Sequence, residues 1–173
     1  MSKVLTPQEI IDINRKFKSY FDPEELVSKR VYDSFKNKDE IYDKFNIKLK
    51  AVIVYLREEC FKVPFHCNNW KHYEEELKTK TVAQLEKEKG IDIMEYRGYR
   101  EPEYTLGAKH SQHREWNAVD LDVQGFTAES ARLLIASRFI KNLPFDIRIE
   151  SGVNWLHIDI NNLLNRKIQF FKV

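Results

Sequence analysis

The sequence is poor in the residues that build small cross-linked folds or separate domains. Its two cysteines, Cys60 and Cys67, are too few for a disulfide framework and lack the CxxC spacing of a structural zinc knuckle. Only five glycines and five prolines are present, and Gly-Ser linkers are nearly absent. A length of 173 residues, of which 42% are hydrophobic, suits one ordinary domain. We therefore expect a single domain over residues 1–173, with both cysteines as buried thiols.

An excess of charge of either sign is also missing. The 29 Lys and Arg residues nearly balance the 27 Asp and Glu residues, and the formal net charge is +2. Such a chain has no long-range field suited to nucleic acid, and acidic residues are interleaved with the basic ones throughout. No apolar stretch is long enough to span a bilayer. We expect neither nucleic acid nor membrane as a partner, so partners have to be inferred from a site.

The first residues, MSKVLTPQEIIDINRKF, lack the apolar run and the small-residue cleavage site of a secretory signal. We therefore expect the protein to be made in a cytosol. Any action outside it would need another route, such as lysis or packaging into a particle.

Helix signals fill the first half of the chain. The string TPQE at 6–9 is a capping box with proline at the first helical position, and DPEE at 22–25 repeats this start. The apolar spacing predicts an amphipathic third helix from Ile47 to Phe61, ended by Pro64. Residues 73–89 predict an exposed helix that ends at Gly90. This last helix belongs to a helical insertion that we place at 71–90.

Strand signals dominate the second half. Residues 63–67 predict a short strand, and the alternation over 118–123 predicts a strand with Asp120 and Asp122 on its polar face. Thr127 caps a further helix, and residues 145–160 alternate around Ser151-Gly152 as a hairpin. Helices followed by a mainly antiparallel sheet indicate the α+β class rather than a doubly wound fold.

Two of the five histidines lie in strand or strand-edge segments with carboxylates nearby. His113 precedes the Asp120 strand, and His157 lies centrally in the last hairpin. Catalytic zinc takes three nitrogen or oxygen ligands and keeps one position open, which His113, Asp120 and His157 can supply. The same spacing also fits ordinary surface residues or hydrogen-bonded core residues, so spacing alone leaves both interpretations open.

The predicted hairpin adds neighbours to these residues. A two-residue turn at 151–152 pairs Glu150 with Val153, Arg148 with Trp155 and Asp146 with His157, and places Asp159 on the same face. Asp159 could then orient a ligand histidine through its second ring nitrogen. Glu150 fits equally well as a solvated carboxylate beside a turn.

Three local strings resemble one family. SQHREWNAVD at 111–120 resembles the S-x-H-x-x-G-x-A-x-D signature of the zinc D-alanyl-D-alanine carboxypeptidases and related phage endolysin peptidases. WLHID at 155–159 looks like their W-x-H-x-D element, and RGYREPEY at 97–104 with GAK at 107–109 is similar to their G-Y-R-x-P-x-Y loop. The resemblance covers roughly residues 21–162 and is strongest from Arg97 onward.

The resemblance implies a DD-peptidase-like fold with Zn²⁺ held by His113, Asp120 and His157 and a water activated by the metal. Arg100 matches the family arginine that holds substrate or stabilises the oxyanion, although it also fits an ordinary loop arginine. The implied activity is a hydrolase of D-Ala-D-Ala carboxypeptidase or L-Ala-D-Glu endopeptidase type, acting on peptidoglycan peptides. It also implies synthesis in a bacterial cytoplasm and action on the cell wall after lysis or within a phage particle, with virion proteins as further partners.

Two positions depart from the family pattern. Trp116 stands at the family glycine, where a bulky ring in place of a close backbone approach would reshape the cleft. Asn154 stands three residues before His157, where many members carry the carboxylate that acts as general base. Glu150 and Asp146 are the candidate substitutes for that base. The alternative is a catalytically inactive relative that serves as a structural or cell-wall-binding module, for example within a phage particle.

Overall fold

The structure, a computed structural model, describes residues 3–102, 111–161 and 167–172, and it has the predicted α+β class. The α-helices are α1 (Pro7–Tyr20), α2 (Lys29–Ser34), α3 (Glu40–Lys44), α4 (Ile47–Tyr55), α5 (Val82–Lys89) and α6 (Ala128–Leu134). The strands are β1 (Phe65–His66), β2 (Ala118–Val123), β3 (Ile147–Glu150), β4 (Leu156–Asp159) and β5 (Ile168–Phe171). Residues 103–110, which contain the end of the loop motif, lie outside the described residues.

The five strands form one sheet in the order β1-β2-β4-β3-β5. Neighbouring strands are antiparallel except β3 and β5, which run parallel, so the sheet is mixed. The strands predicted over 118–123 and in the last hairpin are confirmed, whereas β5 was missed. β2 and β4 lie next to each other in the interior of the sheet, and both are buried along almost their whole length.

The predicted turn of the hairpin was wrong, although its faces were right. Arg148 pairs with Asp159 instead of Trp155, and the connection from β3 to β4 spans residues 151–155. A shift of four residues, from 155 to 159, is even, so each side chain stays on its predicted face. The buried guanidinium of Arg132 stabilises the longer loop by donating to the carbonyl oxygens of Val153 (2.9 Å) and Trp155 (3.0 Å).

Helix α4 runs through the core instead of along its surface. Every residue from Leu49 to Val54 is buried, so the amphipathic helix predicted there was wrong in its burial. The helix continues as a π-helical segment, Leu56–Phe61, and then turns at Lys62. Buried Lys50 donates to the Asn14 side chain (2.6 Å) and the Tyr42 carbonyl oxygen (2.9 Å), and burial lowers its pKa. These two acceptors satisfy a charge that the core would otherwise exclude.

The other helix signals are confirmed to different extents. α1 begins with the predicted capping box at Thr6. The second predicted helix is divided into a 3₁₀ turn, Pro23–Glu25, and α2. Within 71–90, the regular helix is only α5, which ends at left-handed Gly90 and forms a small core of its own from Trp70, Leu85 and Ile93. Among the described residues, no helix combines the length and apolar character needed to cross a membrane.

Both cysteines are free thiols, but only one is fully buried. Cys67 lies in the core and Cys60 is half-buried. Burial raises the pKa of Cys60 to about 12. Neither thiol therefore has the lowered pKa of a reactive cysteine.

Candidate metal centre

The middle of the sheet brings two of the predicted ligands together. Asp120 on β2 lies directly opposite His157 on β4 in the antiparallel register. His113 reaches them from a 3₁₀ turn, Gln112–Glu115, and the Ser111 hydroxyl caps this turn by accepting from the His113 N–H. All three side chains are buried, and their donor atoms lie within 4.8 Å of one another. This His-Asp-His group could hold a metal ion.

The donor atoms have spacings that suit a small tetrahedral ion. His113 Nε2 lies 3.3 Å from both His157 Nδ1 and Asp120 Oδ1. Zinc bonds of ordinary length at tetrahedral angles place ligand atoms about 3.4 Å apart. The third spacing, from His157 Nδ1 to Asp120 Oδ1, is 2.7 Å and would have to widen. Two imidazole nitrogens and one carboxylate oxygen are also a donor set that zinc accepts.

The ring of His113 is oriented from the side away from the donors. Its Nδ1–H donates to the carbonyl oxygen of Gly98 at 2.6 Å, which leaves Nε2 without a proton and directed at the group. Gly98 packs so tightly on Leu26 that an added Cβ would lie 1.9 Å from the Leu26 carbonyl oxygen. The Tyr99 N–H donates to the same oxygen at 2.9 Å. Glycine is therefore required at 98 for a close backbone approach, and that approach sets the His113 ring.

His157 is oriented by the carboxylate that the sequence predicted for this task. Its Nε2–H donates to Asp159 Oδ2 at 3.0 Å, so Nδ1 faces the donor group. Arg148 forks onto Asp159, with Nε at 2.8 Å and Nη2 at 2.9 Å from its two oxygens, and the Asn161 N–H adds a third donor at 2.9 Å. Such a chain of partners fixes both the tautomer and the plane of a ligand histidine.

Arg100 is bound to the centre itself. Its Nη2–H donates to Asp120 Oδ2 at 2.7 Å, and its Nε–H donates to the Tyr96 carbonyl oxygen at 2.6 Å. The backbone N–H of Asp120 donates to the Arg97 carbonyl oxygen at 2.7 Å. The guanidinium therefore binds Oδ2 of Asp120 and leaves Oδ1 available to a metal ion.

Charge and burial shift the three pKa values in different directions. Burial is the main cause that lowers the pKa of His113. Burial alone would raise the pKa of Asp120, but the His113 and His157 imidazoles hold it well below its usual range. Burial opposes protonation of His157, yet the Asp120 and Asp159 carboxylates raise its pKa to about 9. Binding of a metal cation at Nδ1 must therefore release a proton from His157 at neutral pH.

The two candidate bases differ in their positions. The register that pairs Arg148 with Asp159, continued by two residues along the chain, places Glu150 opposite His157 and on its face. Asp146 lies before β3, and its carboxylate is 3.6 Å from Lys167 Nζ instead of opposite His157. Asn154 lies exposed in the loop between β3 and β4.

Known proteins supply no assignment for this centre. No protein-family model, no curated protein and no solved structure matches the chain. The chemistry of the centre therefore has to be read from its own residues.

Trp116 has a backbone conformation that is usual for glycine. Its backbone is left-handed, with φ of 58°, at the end of the turn that carries His113. A glycine, the residue at this position in the pattern that the sequence resembles, would adopt this conformation without strain. The Trp116 ring stacks on Tyr99 at a centroid distance of 3.9 Å and meets Phe45 edge-on at 5.0 Å. The ring thus contributes to packing at the edge of the main core.

Trp116→Gly should lower the free energy of unfolding, whereas Lys62→Gly should raise it. Lys62 is the other non-glycine residue with positive φ among the described residues. Both changes relieve left-handed strain, worth about 1 kcal/mol. Lys62→Gly loses only an exposed side chain and should stabilise, whereas Trp116→Gly also loses two ring contacts and should destabilise by about 2 kcal/mol. Urea unfolding measures both, and a stabilising Trp116→Gly would contradict the packing role.

Gly98→Ala should destabilise the protein and weaken its metal centre together. The added methyl group must displace the Leu26 backbone, for which we expect a loss of about 3 kcal/mol in the free energy of unfolding. Gly125→Ala is the control, because its φ of +79° is strained but an added Cβ meets nothing within 4 Å. That variant should lose about 1 kcal/mol and leave the affinity of the His-Asp-His group for a metal ion unchanged. Equal metal affinities in the two variants would show that the Gly98 carbonyl does not position His113.

Three supporting residues were not found by sequence reasoning. Arg148 was placed on the correct face, but its bond to Asp159 depends on the register that was predicted wrongly. Gly98 stood within the recognised loop string, yet its contact with Leu26 joins distant segments. Phe171 meets the His157 ring edge-on at 5.5 Å and belongs to the strand that was missed.

Proposed function

We propose that the chain is a zinc peptidase that hydrolyses an amide bond in peptidoglycan stem peptides. The observation that carries this proposal is the buried set of two imidazole nitrogens and one carboxylate oxygen, spaced as zinc ligands and each fixed from behind by a hydrogen bond. Three protein ligands leave a fourth position of a tetrahedral ion for chemistry. The order and spacing of the three strings that resemble the zinc carboxypeptidases support the substrate class.

The residues around the donors suit amide hydrolysis. Zinc bound here would supply a Lewis acid and a water of lowered pKa. His113, Asp120 and His157 hold the ion, and Asp159 keeps His157 in the required tautomer. Arg100 brings a permanent positive charge beside Asp120, where it can stabilise an oxyanion. Glu150, on the His157 face, is the carboxylate that accepts the proton.

The proposed biological setting follows from the resemblance. The protein would be made in a bacterial cytoplasm and would reach the cell wall after lysis or as part of a phage particle. Stem peptides would be its substrates, and virion proteins its partners in the second case.

Metal analysis combined with mass spectrometry of digested muropeptides tests the proposal. We expect one zinc per chain and shortened stem peptides, with cleavage lost on chelation and restored by added zinc. Bound zinc without turnover of any muropeptide would exclude the peptidase.

A second candidate function is a zinc-stabilised module that binds or builds structure without cleavage. Asn154 in place of the family carboxylate favours it, and so does the burial of the donors, since His113, Asp120 and His157 are only 1%, 2% and 6% exposed. In that case zinc should raise the melting temperature with no cleavage to lose. Cleavage that depends on Glu150 would refute this candidate.

A further inference from the structure

A concave site lies next to the segment that carries Arg100. This aromatic cleft, of about 520 Å³, is bordered by α2, the end of α3 and the segment 99–102. Its volume is in the range of small-ligand sites. Tyr99 and Trp116 form one wall as a stacked pair, and Val31 and Phe35 are the apolar residues on the α2 side.

A buried carboxylate faces this cleft with half of its hydrogen-bonding capacity unused. The side chain of Glu101 is 9% exposed. Its Oε1 accepts from the Ser28 hydroxyl at 2.8 Å and from Arg30 Nε at 3.3 Å. Its Oε2 is buried and has no hydrogen-bond partner among the residues that the structure describes. A buried carboxylate oxygen without a donor is unfavourable, and a donor from a ligand in the cleft would satisfy it.

The charges around Glu101 select the kind of donor. The carboxylate is already paired with Arg30, and Lys44 adds a second cation to the lining. A cationic ligand would be repelled by both cations, while an anionic ligand would meet the unsatisfied Glu101 oxygen. A neutral donor, such as a hydroxyl group, is therefore favoured. Hydroxyl groups combined with an apolar face that packs on aromatic rings are the features of a saccharide.

The cleft and the metal centre occupy opposite sides of one segment. Arg100 directs its guanidinium to Asp120, whereas Tyr99 and Glu101, the residues on either side, line the cleft. This alternation is that of an extended chain. A ligand in the cleft therefore does not compete for the metal donors.

We propose that the aromatic cleft binds a neutral saccharide, with Glu101 Oε2 accepting a sugar hydroxyl and the Tyr99 and Trp116 rings packing on the sugar. That this saccharide is the glycan strand of peptidoglycan rests on the proposed function. The glycan would then anchor the polymer whose peptide reaches the metal centre.

Calorimetry with a peptide-free probe, a β-1,4-linked tetramer of N-acetylglucosamine, tests the site in the full-length protein. Binding should be saturable. Glu101→Gln replaces the accepting oxygen by an amide donor and should weaken binding by at least about tenfold. Ser34→Trp should abolish binding, because exposed Ser34 lines the cleft and a bulky ring there fills it.

Ser137→Trp is the matched control for the bulky ring. Ser137, like Ser34, is an exposed helical serine whose hydroxyl donates to a backbone carbonyl oxygen at 2.7 Å, but it lies outside the cleft. The Ser137→Trp variant should bind the tetramer as the unmodified protein does. The zinc content should be equal in all variants. Absence of tetramer binding at millimolar concentration overturns the proposal, as does undiminished binding by either Glu101→Gln or Ser34→Trp. Because the probe contains no amide that a peptidase cuts, these outcomes are independent of the peptidase test.

Discussion

Replacing His113 by alanine is expected to abolish stoichiometric zinc binding and every activity that depends on it. The change removes one of only three donors and leaves Asp120 and His157 to share two sites of a tetrahedral ion. Loss of an outer hydrogen-bonding partner of a metal ligand already costs about 10–100-fold in affinity, so loss of a ligand should exceed about 100-fold. Competition with a chromophoric chelator measures this ratio directly.

Zinc should also cease to stabilise the variant. At about 100 times its dissociation constant, zinc adds about 2.7 kcal/mol to the free energy of unfolding of a protein with one site. His66→Ala is the control, because His66 is exposed on the short edge strand β1 and lies outside the donor group. It should keep both the affinity and the stabilisation. Undiminished zinc binding by His113→Ala would place the ion elsewhere in the chain.

Glu150→Gln is expected to lower the rate of muropeptide hydrolysis by at least about 100-fold while leaving zinc affinity unchanged. The amide has nearly the shape of the carboxylate but cannot accept a proton, and general bases contribute about 10²–10⁴-fold. Glu150 lies at the end of β3 on the His157 face, so its loss affects the reaction and not the ligands. Single-turnover rates with a defined muropeptide separate this effect from substrate binding.

Asp146→Asn is the matched control for that experiment. Asp146 is another carboxylate of the same hairpin, but it lies 3.6 Å from Lys167 Nζ and 40% of its side chain is exposed. Its loss should leave the rate unchanged. A rate that falls for Asp146→Asn and not for Glu150→Gln would reverse the two assignments, and equal rates for all three proteins would leave neither carboxylate as the base.

Local patterns predicted the parts of the fold that depend on neighbouring residues. The capping box at Thr6, the left-handed end at Gly90 and the alternating strand at 118–123 are all produced by interactions within a few residues. The faces of the hairpin were predicted correctly although its turn was not, because the pairing register differs from the predicted one by an even number of residues. The Asp159 partnership with His157 needed no hairpin register, because residues two apart in one strand lie on the same face.

The errors concern contacts between distant segments. The five-residue loop of the hairpin is stabilised by Arg132 from α6, which no pattern within 145–160 contains. Burial of α4 on all sides results from packing against other elements. The spacing of apolar residues indicates one buried face of a helix and cannot show that the remaining faces are buried as well. Parallel pairing of β5 with β3 likewise depends on a return of the chain that its four residues do not encode. The His-Asp-His group was predictable because histidine is rare in this chain and both histidines lie in or beside strand segments with carboxylates nearby. Gly98 and Arg148, in contrast, act through tertiary contacts.

The way in which Arg132 fixes the loop between β3 and β4 determines how freely the side chain at position 154 can be exchanged. The guanidinium binds main-chain oxygens, of Val153 and Trp155, and so the loop keeps its course whatever side chain stands between them. Position 154 lies exposed at that point. A lineage could therefore exchange asparagine for a carboxylate there by a single substitution without a folding penalty. The loop would then keep the same backbone with either residue at position 154.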